Sequence, residues 1–285
     1  MKIVVTGGAG FIGSHLVEKL ANEHDVTILD NLSTGRKEWV DPRAKLIKGD
    51  IRDIADVRKA MRGCEMVFHL AAIADARSSN ADDIYAVDFL GSKNVFDTAK
   101  LINAKVVFAS SAAVYGDAPP PHRDDAECKP ISQYGKSKLR AEKICPEGSL
   151  ILRFFNVYGP RGHGVINIFT EKTVKYEDVK IFGTGMQTRD YVHVEDVIEA
   201  LLLGFKHSGI YNVGTGKETN LLDVIDLIQR ISGIRTHKSF AMPKKEIQRS
   251  QADIARISAI WSPKISLKLG IKELISSIDY KPKKK

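Results

Sequence analysis

Lys2-Ile3-Val4-Val5-Thr6-Gly7-Gly8-Ala9-Gly10-Phe11-Ile12-Gly13 opens the chain and decides how the rest is read. An apolar run of strand length passes into glycines and then into a helical pattern, with Ile12, Leu16, Val17 and Leu20 on one face as far as Ala21. The order is strand, glycine-rich turn, helix. In such a turn Gly7 permits the tight bend, Gly10 lets the main chain approach a pyrophosphate, and Gly13 lets the helix lie against the strand. The helix start offers N–H groups and the positive end of its dipole to phosphate oxygens. A second strand, Val26-Thr27-Ile28-Leu29, ends in Asp30, about 20 residues further on, where this motif places its acidic residue. A carboxylate there accepts bonds from ribose hydroxyls and repels a 2′-phosphate, so NAD is expected and not NADP.

The same grammar repeats along the chain. Strands at Lys45–Lys48, Met66–His69, Lys105–Ala109 and Leu150–Arg153 alternate with helical patterns, including a long one over Asp82–Ile102. Alternation of this kind predicts an α/β fold of Rossmann type, a doubly wound parallel sheet, with ligands outside the carboxyl ends of its strands. Gly7, Asp30, Asp50, Ala71, Ser111 and Asn156 all fall at those ends. After Asn156 the rhythm loosens. Val179–Phe182 and Ile210–Val213 read as strands, Asp196 is expected to cap a helix reaching Phe205, and Asn220 to open another. The expected division is a cofactor-binding domain over 1–156 with about 187–213, and a smaller C-terminal lobe over 157–186 and 214–285.

Composition narrows the class. The chain has 285 residues, enough for one large domain or one and a half, and no apolar run long enough to span a bilayer. The net charge of +8 owes much to the Lys281-Pro282-Lys283-Lys284-Lys285 end, and no basic stretch is interleaved with stacking aromatics, so neither nucleic acid nor membrane is an expected partner. Cys64, Cys128 and Cys145 have neither zinc nor disulfide-framework spacing; no metal is expected, and the cytoplasm is the expected compartment.

Tyr134-Gly-Lys-Ser-Lys138 places a phenol and an ammonium on one helix face, in reach of a common ligand. A phenol that is to act as a general base near neutrality has to drop from about 10 to roughly 7, about 4 kcal/mol of preferential stabilisation of the phenolate. Lys138 and the positive ring of an oxidised nicotinamide are the groups expected to supply it.

Thr6-Gly-Gly-Ala-Gly-Phe-Ile-Gly13, His69-Leu-Ala-Ala72, Ser110-Ser-Ala-Ala-Val-Tyr-Gly116, Tyr134-Gly-Lys-Ser-Lys138, Phe155-Asn-Val-Tyr-Gly-Pro160 and Arg189-Asp-Tyr-Val-His193 follow one another in an order that resembles the extended short-chain dehydrogenase/reductases, most closely the UDP-glucose 4-epimerases. The resemblance runs from residue 1 to about 255. It implies that Tyr134 takes the proton of the sugar 4-OH while a hydride leaves C4 for NAD, that the 4-keto sugar turns, and that the hydride returns to its other face. It implies that Ser111 relays the proton and that Lys138 holds the nicotinamide ribose. Cofactor contacts are implied for Gly7, Gly10, Phe11, Ile12, Asp30, Asn31, Ser33, Thr34, Gly35, Asp50, Ile51, Leu70, Ala71, Ala72, Ala109 and Phe155, besides Tyr134 and Lys138. For the UDP-sugar, the resemblance implies Asn156 and Arg189 at the diphosphate, Phe182 at the uracil, and Val165, Ser250, Ser111 and Tyr134 around the rest. It also implies a homodimer built as a four-helix bundle, with Ile84, Val87, Val95 and Leu139 available for the contact.

The departures matter as much. Relatives carry Asn where Asp88 stands, and a second phosphate-binding Arg where this chain reads Pro243-Lys244-Lys245-Glu246, leaving Lys244, Lys245 and Arg249 as candidates. Related dehydratases and decarboxylases carry an acid just after the residue matching Ser111. Here stand Ala112 and Ala113, which cannot shuttle a proton. A reductase or a non-catalytic dinucleotide-binding protein on the same fold has less use for Ser111, Tyr134 and Lys138 together. In relatives the residue three before the Asp matching Asp253 gates the space beside the sugar C2. That residue is Ser250, and its small size implies room for an N-acetyl group. A slip of one residue puts Arg249 or Gln251 at the gate instead.

Overall fold

The computed structural model describes residues 1–74, 80–243 and 246–278. The lysine-rich end at 281–285 and two candidate phosphate ligands, Lys244 and Lys245, lie outside the described residues. The elements in chain order are β1 (Lys2–Thr6), α1 (Phe11–Leu20), β2 (Asp25–Asp30), β3 (Lys45–Lys48), α2 (Ile54–Ala60), β4 (Met66–His69) and α3 (Ala81–Tyr85). α3 continues through a π-helical turn (Ala86–Gly91) into α4 (Ser92–Ile102), and then follow β5 (Lys105–Ser111), α5 (Gln133–Ile144), β6 (Leu150–Phe154), β7 (Asn156–Tyr158) and α6 (Val165–Val174). β8 (Val179–Phe182), β9 (Thr188–His193), α7 (Val194–Leu202), β10 (Gly209–Val213), β11 (Glu218–Asn220), α8 (Leu221–Ser232), β12 (Lys238–Ala241) and α9 (Leu267–Ser277) complete the chain. The long helix is closed locally. Asn80 accepts the Asp83 N–H at its start, and Asn103 takes a left-handed conformation (φ 55°) at its end.

Two compact units divide these elements. One comprises Met1–Gly116, Asp124–Phe154 and Ile198–Tyr211; the other comprises Asp117–Arg123, Phe155–Val197 and the chain from Asn212 onward. The first is built on a seven-stranded sheet in the order β10-β6-β5-β4-β1-β2-β3, parallel from β6 to β3. Its strands read as apolar runs because both faces are covered. Val4, Leu29, Val67, Val106 and Phe108 of the strands pack with Val57, Val95, Phe96, Ala99 and Ala141 of the helices. This order is that of the Rossmann type. The chain reverses its direction of travel across the sheet between β1 and β4, and ligands sit at the carboxyl ends flanking such a point.

Two residues assigned to a contact with a second copy are used otherwise. Val95 belongs to this core and Ile84 is 2% exposed, so neither is available at the surface. Both are apolar residues on a helix that lies against its own sheet and against α5, which consumes them.

The second unit holds the three-stranded sheet β11-β9-β7 and the parallel pair β12-β8. Tyr158, Phe169, Val179, Ile181, Val224, Ile225, Ile228 and Ile271 make its core. Asp196 is not the cap of α7, which starts two residues earlier. Its carboxylate accepts the N–H groups of Lys264 (2.9 Å) and Ile265 (3.0 Å), fastening a distant segment. Local pattern shows a capping residue, but it does not show where the chain returns.

Candidate active site

β5 ends in Ser111, whose hydroxyl oxygen accepts the Ala113 N–H (3.1 Å) and so opens the turn Ala112–Tyr115. Ser132 caps α5 by accepting the Gly135 N–H at 3.0 Å. A Cβ on Gly135 would lie 2.4 Å from the Ala113 carbonyl oxygen, so only glycine lets α5 rest on the turn that follows Ser111. That approach sets the Tyr134 phenol near the Ser111 hydroxyl, which favours its ionised form. One turn on, Lys138 is 2% exposed and donates to the Ala109 carbonyl at 2.9 Å. Its ammonium stands 4.9 Å from the Phe108 ring centroid and 5.8 Å from that of Tyr134.

The electrostatics of this trio differ from the simple expectation. Burial pushes the Tyr134 phenol up, the Asp88 carboxylate pushes it further, and the Ser111 hydroxyl opposes both. Burial lowers Lys138, while Asp88 and Glu142 hold its charge. The protein's own groups therefore keep the proton on Tyr134 rather than draw it off. The drop that base catalysis needs has to come from charge added to the protein.

Beneath the trio lies a network that the motifs do not reveal. Arg153 donates to Glu142 through Nε (3.0 Å) and Nη2 (2.7 Å), and through Nη1 to the Tyr115 hydroxyl and the Asp124 carbonyl, both at 2.9 Å. Ser110 donates to the same Glu142 carboxylate. The signal was present in Leu150-Ile151-Leu152-Arg153-Phe154, where a guanidinium inside an all-apolar buried strand demands a buried counter-ion.

The first unit also carries the dinucleotide cradle. Gly7 adopts φ +71°, and a Cβ there would meet the Ala71 nitrogen at 2.7 Å; one on Gly13 would meet the Gly7 carbonyl oxygen at 2.1 Å. Side chains are thus excluded where β1, α1 and the His69-Leu-Ala-Ala72 segment converge. The Asp30 carboxylate accepts the N–H groups of Ala9 (3.0 Å) and Leu32 (2.8 Å) from the two loops that flank it. Asn31 accepts the Ser33 N–H and donates to Asp50 at 2.9 Å; Asp50 also takes a bidentate bond from Arg52, which holds its carboxyl down at about 2. Gly35 packs against Ala9, where a Cβ would come within 3.0 Å. A Cβ-free turn at a helix start, next to a fixed carboxylate, fits a pyrophosphate and a ribose.

Asn156, Val165, Phe182, Arg189 and Ser250, and also Phe155, belong to the second unit. Asn156 on β7 is in register with Tyr191 on β9, the strand that carries Arg189. Arg189 donates to the Thr188 carbonyl and to the Glu246 carboxylate, each at 2.8 Å. Phe182, Gln187, Phe240, Pro243 and Glu246 line a cavity of about 650 Å³. Glu246 as the partner of Arg189 was not foreseen; it stands in the segment where the sequence departs from its relatives. Next to Arg189, the buried Asp190 carboxylate accepts from the Thr215 N–H (2.7 Å) and hydroxyl (2.6 Å), the Gly216 N–H (2.9 Å) and the Ala252 N–H (3.1 Å). The last of these pins the segment that contains Ser250, which is 8% exposed. Arg249 points outward onto Glu218 (3.2 Å), and Gln251 donates to the Gly216 carbonyl (2.8 Å). Among the described residues no group of three or more His, Cys, Asp or Glu is placed to hold a metal, and no helix is long and apolar enough to cross a membrane.

Fold, glycine cradle and Ser–Tyr–Lys trio together define a dinucleotide-dependent enzyme of the Rossmann type. Residues 3–214 match the NAD dependent epimerase/dehydratase family, and the chain belongs to that family. Its cofactor is NAD and it is an enzyme of the epimerase type. A putative UDP-glucose 4-epimerase of Methanocaldococcus jannaschii is 40% identical, over 96% of this chain and 97% of the relative. The crystal structure of UDP-glucose 4-epimerase with UDP-glucose from Thermotoga maritima superposes with a TM-score of 0.93 at 33% identity, covering 97% of this chain and 98% of that one. A UDP-N-acetylglucosamine 4-epimerase from Methanobrevibacter ruminantium, solved with UDP-N-acetylmuramic acid, gives 0.91 at 30% identity, covering 96% and 97%.

Proposed function

We propose that the protein is a UDP-glucose 4-epimerase, interconverting UDP-galactose and UDP-glucose. The observation that carries this reading is the trio of Ser111, Tyr134 and Lys138 on one unit, with Ala112 and Ala113 where an eliminating or decarboxylating relative needs an acid. Tyr134 Oη takes the proton of the sugar 4-OH and gives it back. Lys138 anchors the ribose side and keeps a positive charge beside the ring. NAD, held at Gly7, Gly10 and Asp30, supplies when bound a hydride acceptor at C4 and, oxidised, a positive charge that favours the phenolate. Arg189 exchanges Glu246 for the diphosphate, a pairing for which a planar guanidinium is suited, with Asn156 as a neutral donor beside it. The test is incubation of purified protein with UDP-galactose and no added reductant. UDP-glucose is the expected product; loss of carbon dioxide or water from a suitable UDP-sugar, with no epimerisation, overturns the reading.

A second substrate pair is favoured by Ser250. It is small and buried, while Arg249 faces outward and Gln251 is committed to Gly216, which supports Ser250 as the residue beside the sugar C2. The enzyme then accepts UDP-N-acetylglucosamine and UDP-N-acetylgalactosamine as well, and side-by-side assays of the four UDP-sugars test it. By family resemblance the assembly is a homodimer formed through α3–α4 and α5. With Ile84 and Val95 buried, Leu90 (43% exposed) and Leu101 (75% exposed) are the apolar residues left outside on that rod. Sedimentation as a monomer at micromolar concentration contradicts it. A reducing cytoplasm is the compartment that suits an NAD enzyme with a buried thiol at Cys64.

A further inference from the structure

Asp88 is a carboxylate that the proposed chemistry leaves without a task. It sits in the π-helical turn between α3 and α4, is 0% exposed, and accepts the Ile73 N–H through Oδ1 at 2.8 Å. Its other oxygen, Oδ2, is buried and has no hydrogen-bond partner among the described residues. A π turn breaks the regular helix ladder and recurs at functional sites, and a half-satisfied buried carboxylate is costly unless something nearby uses its charge.

The π-helical turn that carries Asp88 packs against α5, the helix of Tyr134 and Lys138. Asp88 acts on both of those groups, Lys138 acts back on it, and Glu142 supports Lys138 one turn further along. From β4, His69 reaches the same turn through Ser92, whose hydroxyl lies 2.8 Å from His69 Nε2 and donates to the Asp88 carbonyl at 2.7 Å. Burial and Lys138 push His69 down to about 3, so its ring is neutral and adds no charge. Asp88 is therefore the one anion that acts on both Tyr134 and Lys138 among the described residues. Burial pushes its own carboxyl up to about 6, against the opposing pull of Lys138 and the Ile73 N–H.

We infer that Asp88 is a positioning residue whose negative charge sets the proton affinity of the catalytic pair, keeping the ammonium on Lys138 and the proton on Tyr134. The inference rests on the proposed roles of Tyr134 and Lys138 and extends them to a residue outside the motifs. The sign follows from the charges. An anion beside a phenol disfavours phenolate, and beside an ammonium favours it. As pH rises through the Asp88 pKa the charge appears, and Tyr134 becomes harder to ionise.

Asp88→Asn tests this in the NAD-loaded protein, since an amide oxygen still accepts the Ile73 N–H while the charge is gone. Glu142 remains to support Lys138. Tyr134 ionisation is followed by ultraviolet difference titration, with Tyr134→Phe subtracted, and the acid limb of kcat/KM is followed in parallel. The Tyr134 midpoint is expected to fall by about one unit, and the acid limb to move with it. A midpoint that stays in place or rises overturns the inference, even if kcat or Tm changes, because a merely structural role moves those without moving the titration. If Asp88→Asn fails to fold, Asp88→Ser, neutral and still able to accept from Ile73, gives the same reading. Failure of every UDP-sugar as substrate overturns the proposed function but leaves the ultraviolet titration to decide the role of Asp88.

Discussion

Replacing Glu142 by Gln removes one charge from beneath the trio and keeps the shape. The guanidinium of Arg153 is then left, besides the new amide, with the Tyr115 hydroxyl and the Asp124 carbonyl. Breaking a buried ion pair from one side costs about 3–5 kcal/mol, and these neutral acceptors place Glu142→Gln near the lower end. At roughly 2 °C per kcal/mol for a chain of this size, Tm falls by about 6 °C. Arg153→Met breaks the same pair from the other side, and here the stranded carboxylate can take up a proton. Glutamate ordinarily titrates about 2.7 units below pH 7, so protonation limits the charge part of the cost to about 4 kcal/mol at that pH. In this variant Glu142 has a folded pKa above its unfolded value. The folded state then binds more protons than the unfolded one, so stability falls as pH rises from about 4.3 toward neutrality and is regained on acidification. Glu142→Gln has no such group and shows no such trend. Urea unfolding of both variants at acid and neutral pH measures the difference, and the double Glu142→Met, Arg153→Met variant recovers part of the loss by leaving neither charge of this pair buried without its partner. A Tm for Glu142→Gln within about 1 °C of wild type, or a pH-independent deficit in Arg153→Met, refutes the reasoning.

Three further outcomes are expected. Tyr134→Phe keeps the ring and removes the proton acceptor; turnover of UDP-galactose should fall by about 10²–10⁴-fold with NAD still bound, and near-wild-type turnover would be incompatible with the proposed base. Dinucleotide released by denaturing the purified protein should be NAD, and if Asp30 makes the proposed ribose contact, Asp30→Ala should narrow the preference over NADP in added-cofactor binding. Ser250→Tyr should selectively suppress turnover of the acetylated sugars. Overpacking costs about 1–3 kcal/mol, or roughly tenfold to more than a hundredfold in specificity; equal losses on acetylated and plain sugars would mean that residue 250 does not gate C2.

The alternation of strands and helices made the first unit legible because each of its decisive features is local. Gly7 and Gly13 announce a backbone approach within their own dozen residues, and Asp30 follows at a fixed distance. The trio was legible for the same reason, since Tyr134 and Lys138 share one helix turn. What stayed hidden depends on the chain returning from far away. Arg153 in its apolar strand calls for a buried counter-ion but does not show that Glu142 is the one until α5 lies over β6, and Asp196 resembles a cap until Lys264 and Ile265 arrive. Val95 and Ile84 show the limit of amphipathic pattern, which identifies a face that seeks burial but not whether the chain itself or a second copy buries it. Tyr134 shows a further one: motif spacing brings an ammonium near a phenol, yet desolvation and Asp88 decide the sign of the shift.

Asp190 has a consequence for how this enzyme can diversify. It gathers its donors from main-chain N–H groups at Gly216 and Ala252, together with the N–H and hydroxyl of Thr215, so the strand that bears Arg189 and the segment that bears Ser250 keep their mutual register almost regardless of the neighbouring side chains. Position 250 hangs on a fixed peg. If residue 250 gates the sugar as proposed, a lineage can exchange it, widening or narrowing the sugars admitted, without renegotiating the strand that carries Arg189, the proposed diphosphate ligand.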